Sequence, residues 1–166
     1  MDLTVKAAIE ADVSSIQPSS ICLAAARVGG ILANSTYTAE FIYDNLQVQL
    51  NVIKAAVDNE VPMLLFLGAS CIYPKHAPQP ISEDSLLTGP LDPTNEPYAI
   101  AKIAGAKLGE ASKAHHGRQY GSAAPPHLSG PTEKHATPTT HVPTAPHRSP
   151  PLARPGLGPP RAGRQD

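Results

Sequence analysis

The chain has no tryptophan, two methionines and only two cysteines, Cys22 and Cys71, in 166 residues. Two cysteines exclude a disulfide framework, and no metal-type Cys/His spacing surrounds them. No apolar run reaches the ~18 residues that a membrane span needs. The opening stretch MDLTVKAAIEADV carries acids where a secretion signal has bases followed by an apolar run. A soluble cytoplasmic protein is the expectation. Charge of either sign is also scarce in excess: 13 Lys+Arg stand against 14 Asp+Glu, a net −1. That balance excludes a global electrostatic case for nucleic acid or membrane binding.

What is present is unevenly distributed. All seven aromatics lie at or before Tyr120, while 11 of the 19 prolines lie after it. Residues 1–120 hold 8 basic and 12 acidic side chains, and residues 121–166 hold 5 and 2. Few apolar groups in the second segment can offset about 1–2 kcal/mol of backbone entropy per ordered residue. Residues 1–120 are therefore expected to fold, and 121–166 to form a Pro-rich, mostly disordered tail. Six of the seven histidines fall between His115 and His147. Their irregular spacing in a proline-rich setting reads as composition, and no metal site is assigned.

Within the folded part, Asp2 or Thr4 can cap a helix running to about Ser15, stopped by Pro18. Ile21 to Ala25 is a short apolar run, as in a strand buried on both faces. A helix with one broad apolar face follows from about Ala39 to Asp58. Met63 to Leu67 is a second apolar strand, and Tyr73 to Pro97 reads as a long loop. Thr94 or Asn95 can cap a helix from about 95 to 113, with Pro97 in its first turn. Helices alternating with buried strands predict an α/β domain with a parallel, doubly wound sheet. Ligands of such sheets sit beyond the carboxyl ends of the strands, here Ala24–Gly30 and Gly68–Tyr73.

Tyr98 and Lys102 are the most informative pair. At i and i+4 they share one helix face. An ammonium close to a phenol favours the phenolate, and such a tyrosine can exchange a proton with a carbonyl or alcohol. A bare Y-x-x-x-K pattern is also what an ordinary surface helix offers. The difference here is the preceding strand, which ends in Gly68-Ala69-Ser70-Cys71.

The stretches LAAARVGGILANSTYTAEFIYDNLQVQLNVIKAA and FLGASCIYPKHAPQP…EPYAIAKIAGAKL resemble the GDP-L-fucose synthase family of extended short-chain dehydrogenases/reductases. The resemblance covers about residues 2–112. It implies a Rossmann-like fold and NADP(H) as cofactor. It also implies 3,5-epimerisation followed by 4-reduction of GDP-4-keto-6-deoxy-D-mannose to GDP-L-fucose. In bacteria that product serves surface polysaccharides and, in root-nodule symbionts, nodulation signals.

By the same resemblance, Tyr98 protonates the C4 oxygen and Lys102 holds the nicotinamide ribose. Leu67, Gly68, Ala69 and Ser70 line the cofactor, and Cys71 is an acid/base in epimerisation. The family has Gly-Ser-Ser-Cys where this chain has Gly68-Ala69-Ser70-Cys71. Ala69 lacks the hydroxyl of the usual catalytic serine, so either Ser70 substitutes or carbonyl polarisation is weakened. Fainter echoes place Pro125, Pro126, His127 and Leu128 at the family's cofactor loop, and His141 at a functional histidine.

The family's first βα unit, with its Gly-rich phosphate turn, has no counterpart before Met1, so the written ends are expected not to be the functional ends. A homodimer through the two long helices is implied, with a GDP-sugar as substrate. Two other readings stay open: a non-catalytic fragment of such an enzyme, and another nucleotide-sugar epimerase or dehydratase.

Overall fold

A computed structural model describes residues 1–29, 33 and 36–125. The elements follow in the order α1 (Lys6–Ile16), β1 (Ser20–Leu23), α2 (Thr38–Asp58), β2 (Met63–Leu67), α3 (Glu96–His116) and β3 (Gln119–Ala123). Two short 3-10 turns, Ser70–Ile72 and Glu83–Ser85, lie in the connection between β2 and α3. The three strands form one parallel sheet in the order β1-β2-β3. Cys22 pairs with Leu65, and Leu65 with Gly121.

The predicted α/β architecture is present, with four local differences. Helix α1 starts after Val5, and Asp2 instead accepts hydrogen bonds from the Thr4 backbone N–H and hydroxyl. Strand β1 stops at Leu23, two residues short of the apolar run. Helix α3 continues to His116, capped by Gly117. The fourth difference is β3, which crosses from the expected folded segment into the segment read as tail. It forms because Tyr120 is 1% exposed and donates its hydroxyl to the Val61 carbonyl, while its backbone extends the β2 ladder.

The strands are buried on one face, not two. Leu23, Leu64, Phe66 and Tyr120 point inward and pack with Ile9, Val13, Val48, Val52 and Ile53. Each such side chain contributes about 1.5–3 kcal/mol on burial. Met63 and Leu65 point the other way and are exposed, as is Cys22 beside them. This open face forms a shallow concavity of about 800 Å³, lined by Cys22, Met63, Leu65 and Arg118 among others. Among the described residues, no helix is long and apolar enough to cross a membrane.

Helices α2 and α3 meet closely at Gly105. A Cβ there would stand 2.5 Å from Gln49 Oε1 and 2.7 Å from Phe66 Cζ. Gln49 is buried and donates its amide to the Ala101 carbonyl on α3. Gly105→Ala is therefore expected to destabilise the fold by about 1–3 kcal/mol through overpacking. A Cβ at Gly109, on the same helix, would meet nothing within 4 Å. Gly109→Ala should then stabilise by about 0.5–1 kcal/mol, the usual helix-interior gain. Urea unfolding of both variants checks the pair, and equal effects would contradict the packing described.

Candidate active site

The carboxyl ends of β1 and β2 lie side by side, and the chemistry-bearing residues gather at the second. Strand β2 ends at Leu67. Gly68 then ties the strand end to β3 by donating its N–H to the Ala123 carbonyl at 2.8 Å. Ala69 is extended, and Ser70-Cys71-Ile72 form a 3-10 turn against α3. This turn places Cys71, half-buried, beside the start of α3.

Helix α3 supplies Tyr98 and Lys102. Asn95 occupies its N-cap position and Pro97 its first turn, where a missing N–H costs nothing. Asp92 organises the approach by accepting from the Thr94 N–H and hydroxyl and pairing with Lys75 at 3.2 Å. Those donors hold the Asp92 carboxyl down to about 2.

Lys102 is 3% exposed, and its ammonium donates to the Leu67 carbonyl at 2.8 Å. The same nitrogen lies 4.8 Å from the Phe66 ring centroid and 5.8 Å from that of Tyr98. Cation–π attraction thus adds to one charge-assisted hydrogen bond. An ammonium has three protons to donate. The carbonyl takes one, which leaves two for a ligand's hydroxyls. Burial, opposed by the nearby Cys71, pulls the Lys102 pKa down.

The expected lowering of the tyrosine is corrected by this geometry. Tyr98 is pushed up to about 12, first by burial and then by the neighbouring Cys71. Burial outweighs the ammonium, which lies 5.8 Å from the ring centroid. Burial also pushes the Cys71 thiol up, with its own backbone N–H and Lys102 opposing. Cys71 thus acts on both Tyr98 and Lys102, and desolvation dominates each of the three.

The structure thus brings Leu67, Cys71, Tyr98 and Lys102 together. Ser70 is exposed at the start of the 3-10 turn, and Ala69 precedes it without a hydroxyl. Pro125 follows β3 at the same end of the sheet. Pro126, His127, Leu128 and His141 lie outside the described residues. Among the described residues, no group of three His, Cys, Asp or Glu side chains could hold a metal ion.

Sequence reading missed three buried polar residues on α2, Asn45, Gln49 and Asn51, which are 2%, 3% and 4% exposed. The signal was available. Phe41, Asn45, Gln49 and Val52 follow one another at helical spacing along the buried face of α2. Polar side chains at such positions must satisfy their hydrogen bonds inside the fold.

Over residues 1–148 the sequence matches the NAD dependent epimerase/dehydratase family. It is 51% identical over 142 residues to the GDP-L-fucose synthase of Sinorhizobium fredii, covering 86% of this chain and 45% of that protein. It is 56% identical over 122 residues to the GDP-L-fucose synthase of Escherichia coli, covering 74% of this chain and 38% of that protein. Among solved structures it is similar to DdhaC, with a TM-score of 0.78 and 42% identity, covering 81% of this chain and 39% of that one. It is also similar to a GDP-L-fucose synthetase from Naegleria fowleri bound to NADP, with a TM-score of 0.69 and 27% identity, covering 79% of this chain and 44% of that one. The chain spans less than half the length of these curated relatives.

The raised Tyr98 pKa gives a direct test. The folded value of about 12 lies above the ordinary phenol value of about 10. The stabilisation linked to it is complete below about pH 10 and is lost as pH rises toward 12. The difference between the wild-type and Tyr98→Phe absorbance titrations at 295 nm isolates this phenol. Its midpoint is expected well above 10, and a midpoint at or below 10 would contradict the burial described.

Proposed function

The chain belongs to the NAD dependent epimerase/dehydratase family, and from that premise we propose that it carries the reacting part of a nucleotide-sugar epimerase–reductase. The reaction proposed is conversion of GDP-4-keto-6-deoxy-D-mannose to GDP-L-fucose. The observation that carries it is the buried Lys102 ammonium, bonded once to Leu67 and flanked by Tyr98 and Cys71 at the carboxyl end of β2. Residues 1–120, extended by β3 to Ala123, are taken as the dinucleotide-binding unit.

The residues present fit the nicotinamide end of NADP(H). The two remaining Lys102 protons suit a vicinal pair of ribose hydroxyls, and Gly68, Ala69 and Ser70, following Leu67, supply a small-residue wall. When bound, NADPH supplies the hydride that reduces the C4 ketone. Tyr98 gives its hydroxyl proton to the C4 oxygen as negative charge develops there. A phenol that keeps its proton to about 12 is fully protonated and uncharged at neutral pH. Lys102 sits close enough to stabilise the phenolate left behind.

Before reduction, the C4 ketone acidifies C3 and C5. Cys71 is assigned one side of the proton exchange at those carbons: inversion needs removal on one face of the ring and delivery on the other, so a second acid/base acts opposite Cys71. Ser70 is the hydroxyl nearest in sequence to the position vacated at Ala69, and it is assigned to the C4 oxygen. Losing one such donor typically costs ~10²–10³ in rate.

The relatives' names support the substrate class. Two of them act as GDP-L-fucose synthases by name, at 51% and 56% identity. Association of two copies is part of the proposal. Tyr43 and Leu50 on α2 and Ile100 on α3 are exposed, at 66%, 48% and 42%. Burial of such side chains between helix pairs would produce a homodimer.

Loss of absorbance at 340 nm checks the reaction. The chain, NADPH and the ketosugar are expected to give NADPH oxidation with GDP-L-fucose as product. Tyr98→Phe should lower kcat by about 10²–10⁴. No oxidation by the wild type would overturn the reading, and a different sugar product would overturn the substrate. Sedimentation equilibrium checks association: a concentration-independent monomer would contradict the homodimer.

A further inference from the structure

The segment that follows β1 is held by α2 at three points. Asn45 is 2% exposed, and all its polar atoms are used. Its Oδ1 accepts from the Arg27 N–H at 2.9 Å, and its Nδ2 donates to the Arg27 carbonyl at 2.9 Å and to the Phe41 carbonyl at 2.7 Å. The side-chain amide thus pairs with both backbone groups of one loop residue, as a neighbouring strand would. One turn of the same helix also holds the Arg27 side chain. Its guanidinium pairs with Asp44 and lies 5.2 Å from the Phe41 ring centroid. Gly29 completes the contact: a Cβ there would stand 2.7 Å from Phe41 Cζ.

A loop fixed in this way has a purpose only if its shape matters. Residues 24–29 leave the carboxyl end of β1, next to the β2 end that carries Leu67 and Cys71. Ala24 and Ala25 are exposed there, and their small side chains let a ligand reach the backbone. An unanchored loop opens readily, because few buried contacts resist it. Two of the three hydrogen bonds of Asn45 go to the loop backbone at Arg27 and the third to the Phe41 carbonyl of α2, so the anchor sets backbone shape and leaves the surface unchanged.

We propose that Asn45 is a positioning residue for ligand binding: it fixes loop 24–29 as a rigid backbone wall of the dinucleotide site. This rests on the dinucleotide reading above. Aspartate at 45 would keep the acceptor for the Arg27 N–H and lose both donors. Alanine would lose all three bonds.

The test uses the whole chain and two readouts. Amide hydrogen exchange by NMR is expected to show the Arg27 N–H protected in the wild type and at least tenfold less protected in Asn45→Ala, with amides of β2 unchanged. Asn45→Asp should keep that protection. NADPH titration by nicotinamide fluorescence is expected to give an affinity at least tenfold weaker in Asn45→Ala, while Asp44→Ala, which removes the ion pair to Arg27 and keeps the backbone pairing, stays within threefold of the wild type. If Asn45→Ala unfolds, Asn45→Asp carries the affinity comparison, with a loss of at least threefold expected. Equal affinity in the wild type and the folded Asn45 variant would overturn the role of Asn45, as would an equal loss in Asp44→Ala. No NADPH binding by the wild type would instead overturn the dinucleotide reading itself.

Discussion

The seating of α3 depends on the close approach at Gly105, where α2 and β2 both press on the helix axis. Without a side chain there, Gln49 can reach the Ala101 carbonyl and Phe66 can lie against the helix. Ala101 immediately precedes Lys102. The same approach that satisfies Gln49 therefore brings the Lys102 ammonium within 2.8 Å of the Leu67 carbonyl. A helix displaced outward by one methyl group would lengthen that bond and withdraw Tyr98 with it. Interiors are dense enough to transmit such a shift, because no void absorbs it.

The buried ammonium is the costly element of this arrangement. Removing a charge from water is unfavourable unless it is paired or hydrogen-bonded. Lys102 has one carbonyl and two aromatic faces, and no carboxylate contacts it among the described residues. Its lowered pKa expresses that incomplete compensation. A ligand presenting hydroxyl oxygens would complete the ammonium's hydrogen bonds, so binding relieves a penalty that folding leaves in place. Local satisfaction is traded for a site that gains by being filled.

Much of the architecture was legible in the sequence, and each failure has a physical cause. The Met63–Leu67 strand and the Thr38–Asp58 helix were found nearly to the residue, because length and apolar pattern agree there. Strand β3 was missed because Gln119-Tyr120-Gly121-Ser122-Ala123 has no apolar run; one buried aromatic and a backbone ladder hold it. Burial on both strand faces was inferred from continuous apolar character, yet Met63 and Leu65 face outward. Continuous hydrophobicity reports composition and does not identify which face is covered. At the site, spacing placed Tyr98 and Lys102 on one face. It could not show that Leu67 would claim the ammonium, since that bond joins residues 35 apart in the chain.

Burial sets the protonation of the site. Desolvation governs Tyr98 and Cys71, and both retain their protons further into alkali than they would in water. The resting site is therefore rich in donors. In the reaction proposed, such a state suits protonation of a developing oxyanion by Tyr98. It does not suit proton abstraction, for which the role proposed for Cys71 needs a thiolate. The electrostatic coupling between Cys71 and Lys102 supplies the route, because the ammonium favours the thiolate and the thiolate favours the ammonium. Ionising Cys71 thus stabilises the charge on Lys102 as it raises Tyr98 further.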